Sequence, residues 1–99
     1  MHSTTILNMQ LGGLWRLMLI QLDDPRVEKP FMVLKFGEGR EASSEDQFEF
    51  KLEAIEIFRE VANDLLARTF ELGALQAESV EQLTDQVEMA IQHTTQIMH

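Results

Sequence analysis

At about Glu53 the apolar residues of this chain change period, and that change constrains the fold more than any other feature. Before it they come as short runs or as strict alternation, the pattern of strands. After it they recur every three to four residues, the pattern of helices. Strands first and helices afterwards predict an α+β domain, an antiparallel meander of three or four strands followed by two C-terminal helices packed on one face. The 99 residues form one domain, 1–99, with strands within 6–52 and helices over 53–72 and 78–98.

The strands follow from faces and breakers. Two apolar runs, 6–11 and 14–22, flank Gly12-Gly13, a two-residue hairpin signal because turn positions there often need positive φ. The second run is apolar on both faces: Trp15, Leu17 and Leu19 on one, Leu14, Met18, Ile20 and Leu22 on the other. Such a strand needs cover on both sides. The protein's own helices supply one side; a second subunit is the expected cover of the other. The segment 23–30 holds two prolines and five charges and reads as a surface loop. A third strand, 31–36, is again apolar on both faces, with Phe31 and Val33 opposed to Met32, Leu34 and Phe36. Residues 37–46 read as a polar loop. Residues 47–52 alternate, placing Phe48, Phe50 and Leu52 inward on a fourth strand.

In the first helix Ile55, Phe58, Ala62, Leu65, Leu66 and Thr69 form a stripe that Ile57, Val61 and Leu72 widen. The apolar arc exceeds that of an ordinary surface helix, so it should pack on two things, its own sheet and another helix. Gly73 suits the position just past a helix end. Ser79 and Gln82 have capping-box spacing for the last helix. That helix buries Val80, Leu83, Val87, Ile91, Thr94 and Met98.

Charge separates the last helix from the rest. Residues 69–99 contain neither Lys nor Arg, while Glu78, Glu81, Asp85 and Glu88 repeat along one stripe. A self-sufficient surface helix mixes signs so that i,i+4 pairs form. An unneutralised stripe is either solubilising charge or faces a basic partner. Net charge is −9 and pI about 4.6. That opposes direct contact with nucleic acid, which needs Lys and Arg to displace counterions, and with anionic membranes. The absence of cysteine excludes disulfides, thiolate zinc sites and Cys nucleophiles, and the cytoplasm is the expected compartment. The longest apolar run, 17–20, is far too short to span a bilayer.

No catalytic or cofactor pattern emerges. His93 and His99 are six residues apart, not the i,i+4 of helical zinc pairs, and His2 stands alone. Asp23-Asp24 and Glu45-Asp46 are loop pairs without the spacing of an EF-hand. The Gly37-Glu38-Gly39-Arg40 stretch lacks strand–loop–helix order, and Glu38 and Glu41 would repel a phosphate. Ser43 and Ser44 have no base partner in any local motif. No cofactor or metal is expected.

The stretch 14–68 resembles the COMM domain, a small dimerising interaction module. It carries Leu14-Trp15-Arg16-Leu17, then Pro30 before the apolar strand 31–36, then Phe48-Glu49-Phe50-Lys51-Leu52 running into a long helix. The segment from Trp15 to Pro30 is shorter than that family's, and the acidic helix after Gly73 is additional. The resemblance implies an obligate dimer serving as an assembly scaffold. The order of four strands then a helix is also similar to a family of single-strand DNA binders. Those use a basic, aromatic groove that a chain of charge −9 does not supply.

The expectation is a non-enzymatic protein–protein interaction module, a homodimeric adaptor, assembly factor or chaperone with a basic protein partner. Trp15, Met18, Ile20, Phe31 and Phe58 would anchor contacts, and Glu78, Glu81, Asp85 and Glu88 would steer association. The alternative is an inhibitor that mimics nucleic acid. Those four acids rise by about 4.5–6 Å per step along a helix, comparable to the phosphates of one strand.

Overall fold

The computed structural model of the chain describes residues 2–13, 15–37 and 43–96, without the side chains of 43–46 and 95–96. Leu14, the Glu38-Gly39-Arg40-Glu41 stretch, Met98 and His99, and the side chains of Ser43, Ser44, Glu45 and Asp46, lie outside it. Four strands come first: β1 Ser3–Leu11, β2 Trp15–Leu22, β3 Phe31–Gly37 and β4 Ser43–Phe48. Two helices follow, α1 Lys51–Glu71 and α2 Ala77–Gln96. The strands pair in chain order, β1-β2-β3-β4, all antiparallel. This is the α+β meander with two C-terminal helices that the change of period predicts.

Side-chain alternation decides which sheet face the helices cover. Leu7, Leu11, Leu17, Leu19, Phe31, Val33 and Phe48 are buried and share one face by register: Leu7 pairs Leu19, which pairs Val33, and Phe31 pairs Phe48. Ala54, Ile55, Phe58, Ala62, Leu65, Leu66 and Thr69 of α1, with Val87 and Ile91 of α2, close the core from above. α1 lies over β2, β3 and β4 and beside α2, and α2 lies over β1. The wide apolar arc of α1 therefore meets a sheet and a helix. Thr69 is buried at no hydrogen-bonding cost, because its hydroxyl donates to the Leu65 carbonyl at 2.7 Å.

Two register shifts interrupt the sheet. Between Thr5 and Leu7, Ile6 is inserted without a partner in β2. The other lies between Met32 and Leu34 on β3.

Four expectations need correction. The fourth strand is Ser43–Phe48, not 47–52, so Phe50 and Leu52 are 62% and 59% exposed rather than inward. Pairing stops where Phe48 meets Phe31; the next β3-side residue, Pro30, turns its carbonyl to β2, where it accepts from the Leu22 N–H at 2.8 Å. Phe50 stays extended (φ −112°, ψ 139°), and its carbonyl accepts the Ala54 N–H at 3.2 Å to start α1. The hairpin leaves three residues, not two, between Leu11 and its partner Trp15, with Gly12 at φ +71°. Leu72 does not widen the buried stripe but is 76% exposed as the C-cap just past the end of α1. Ser79 lies inside α2 rather than before it; the first turn begins at Gln76, whose carbonyl accepts from Val80.

The join between the helices is tightly specified. Gly73, at φ +77°, donates to the Phe70 carbonyl at 2.9 Å, and Ala74 donates to Thr69 at 3.0 Å. This 5→2 and 6→1 pair is a Schellman motif, which needs the left-handed residue that glycine supplies. Leu75 then packs against the core, and its Cδ2 would lie 3.3 Å from a Cβ placed on Gly12. The hairpin turn and the helix corner thus sit against each other.

Candidate interaction site

The sheet has a second face, which neither α1 nor α2 covers. Its central positions come from β2 and β3, laid side by side by register: Met18 beside Leu34, Ile20 beside Met32, Arg16 beside Phe36. The five apolar members, Met18, Ile20, Met32, Leu34 and Phe36, are half-buried by one another, and Arg16 is exposed. Polar residues rim them. Thr5 pairs Ile20, Asn8 pairs Met18 and Gln10 pairs Arg16 from β1, and Gln47 pairs Met32 from β4. Arg16 Nη1 donates to Asn8 Oδ1 at 3.1 Å, which draws this cation to the rim. Among the described residues these outward strand positions carry no carboxylate, in a chain of net charge −9. An apolar centre within a polar rim is the anatomy of a protein interface.

The opposite surface is acidic. Glu78, Glu81 and Asp85 are exposed on α2. Glu88 is half-buried, because Arg59 of α1 donates Nε to its Oε1 at 2.7 Å while Nη1 holds Glu56. Those two hydrogen bonds, the one to Glu88 first, raise the Arg59 pKa above the ordinary arginine value. The four-acid stripe is therefore three exposed acids and one that is neutralised between the helices. The acidic layer is nonetheless wider than one helix, since α1 adds exposed Glu53, Glu56, Glu60, Asp64 and Glu71. From residue 51 to 96 nine carboxylates face only Lys51, Arg59 and Arg68. Arg68 is itself bound to Asp64 at 3.0 Å. The i,i+3 and i,i+4 spacing of Glu53, Glu56, Glu60 and Asp64 is the sequence signal for this extension.

The five expected anchors do not come together. Met18 and Ile20 lie on the open sheet face. Trp15 is half-buried on the helix-covered face, packed against the edge of the core with Lys35 Nζ 5.8 Å from its ring. Phe31 is 9% exposed and Phe58 is fully buried, so both are core residues that offer no surface to a partner. Phe58 points inward because its whole stripe, Ile55 to Thr69, is the buried side of α1. Among the described residues, the large apolar side chains that do reach the surface in and around the helices are Phe50, Leu52, Phe70, Leu72 and Met89. Phe50, Leu52, Phe70 and Leu72 lie at the ends of α1, where exposure depends on where the helix starts and stops, whereas Met89 is mid-helix and off the buried stripe of Val87 and Ile91.

Among the described residues no three His, Asp or Glu side chains converge as metal ligands, and no helix is long and apolar enough to cross a membrane. Compared with known proteins, the chain matches no family model, no curated protein and no solved structure. The likeness of 14–68 to the COMM domain accordingly rests on Trp15, Pro30 and apolar spacing alone.

Proposed function

We propose that this chain is a protein–protein interaction module that pairs with a second copy of itself through the open sheet face and turns its acidic helices outward to a basic partner. The observation that carries this reading is the segregation of chemistry between two opposed surfaces. Five large apolar side chains gather on the face without described carboxylates, and nine carboxylates gather on the other side. Sheet-to-sheet pairing keeps the two acidic layers apart, whereas helix-to-helix pairing would press them together. Four strands spaced by about 4.8 Å and about seven residues long give a planar footprint of roughly 450 Å². Even enlarged by side-chain relief, that lies below the roughly 800 Å² per partner of a standard interface. The dimer should therefore depend on concentration rather than be obligate.

Light scattering at low and high protein concentration, in about 50 and 500 mM salt, tests this. A dimer that forms with rising concentration and persists in high salt is the expected result. A monomer under every condition overturns self-pairing. A dimer seen only in low salt would mean that charge, not the apolar face, holds it.

The alternative, a mimic of a phosphate row, has less support. Glu88 is engaged by Arg59, and Arg59 and Arg68 interrupt the acidic surface with positive charge.

A further inference from the structure

We infer that the outward groove where α1 and α2 join receives an apolar side chain from a basic amphipathic segment of another protein. This inference rests on the reading of the chain as an interaction module and adds the chemistry of the partner. The groove is lined by Phe70 of α1 and by Ala77, Val80 and Glu81 of α2, and its volume is about 240 Å³. That is below the roughly 300–1,000 Å³ of small-molecule sites and suits one inserted side chain. Phe70 is 49% exposed, and Leu72, at the same helix end, is 76% exposed. Two large apolar residues at one rigid corner are more than scattered surface exposure.

The corner is preorganised. The Schellman bonds at Gly73 and Ala74 fix the turn, and Leu75 seats on the core against Gly12. Binding there orders little that is not already ordered, which favours affinity.

Charge selects the occupant. Glu81 borders the groove, Glu71 and Glu78 are exposed beside it, and no Lys or Arg follows Arg68. Arg68 is held by Asp64. An apolar anchor flanked by Lys or Arg meets both features, because the anchor fills the groove while its neighbours lie over acids. A second copy of this chain would bring its own charge of −9 to the same corner, so the fitting partner is a different, basic protein.

The test uses the full chain and a fluorescein-labelled peptide of about fourteen residues, with Leu and Lys placed as an amphipathic helix. Its control replaces every Leu by Ser at the same charge. Saturable binding of the Leu/Lys peptide, with the Lys/Ser peptide far weaker, is expected. Ala77→Trp fills the groove from an exposed position, and Phe70→Ser removes its wall. Each, with the circular dichroism of the wild type, should weaken binding by about tenfold, the equivalent of about 1.4 kcal/mol. Unchanged affinity in both variants, equal binding of the two peptides, or no binding at all would overturn the inference. The pair Ile20→Gln and Leu34→Gln on the sheet face should leave peptide affinity unchanged, so failure of self-pairing is read separately from failure of the groove.

Discussion

Arg59 Nε lies 2.7 Å from Glu88 Oε1, and through this bond α1 grips α2 on the outside of the core. Both side chains are partly exposed, at 30% and 39%, so solvent screens much of the attraction. Arg59→Met should cost about 0.5–1 kcal/mol of stability in urea denaturation, with the loss shrinking as salt rises. Because the bonds raise the Arg59 pKa, its contribution is fully present below the ordinary arginine value and is lost only as pH climbs through the raised one. The arginine's own titration should thus add no slope to stability near neutrality. A cost above about 3 kcal/mol would mean the pair behaves as a buried one.

Gly12 and Gly73 both have positive φ but different surroundings. A Cβ on Gly73 meets nothing within 4 Å, whereas one on Gly12 meets Leu75 at 3.3 Å. Gly73→Ala should cost about 1–2 kcal/mol from backbone strain alone. Gly12→Ala should cost more, because Leu75 must also give way. Thermal melts of the two variants decide it, and a smaller loss at Gly12 would contradict the packing of the hairpin turn against the helix corner.

Phe58 and Phe50 test the inside and outside of α1. Phe58→Ala should cost about 3–5 kcal/mol, since the side chain is fully buried between helix and sheet. That is a large share of the roughly 5–15 kcal/mol available to a domain of this kind. Phe50→Ala should stay within about 0.5 kcal/mol at 62% exposure. Comparable losses in chemical denaturation would place Phe50 in the core.

On the open sheet face, Ile20→Gln with Leu34→Gln keeps the charge and removes apolar contact from β2 and β3. The double variant should sediment as a monomer at concentrations where the wild type is a dimer, with its circular dichroism intact. Glu81→Gln should leave the mass unchanged. If the sheet variant still dimerises, another surface joins the two copies.

Much of this architecture is legible in the residues. Alternation assigns Leu17, Leu19, Phe31 and Val33 to one face and Met18, Ile20, Met32 and Leu34 to the other, because a strand has only two faces. The helical period assigns Phe58 and Leu65 to the core for the same kind of reason. What periodicity does not decide is where one period yields to the next. Residues 47–52 alternate as a strand would, yet pairing ends where Phe48 meets Phe31, and Phe50 and Leu52 pass to the surface. Ser79 and Gln82 match a capping box, but the helix already begins at Ala77. The acid stripe is legible as a spacing; that Arg59, twenty-nine residues earlier, claims Glu88 is a matter of helix packing.

The unpartnered Ile6 of β1 bears on how copies of this chain can meet without polymerising. An outermost strand of nine residues is a template on which another strand could zip, and the next upon that. An inserted residue bends and over-twists the strand, so its outer row of amides and carbonyls is not a straight ladder. Edge-wise growth into fibres is thereby discouraged. Under the proposed pairing, association would use the flat of the sheet, where it would stop at two.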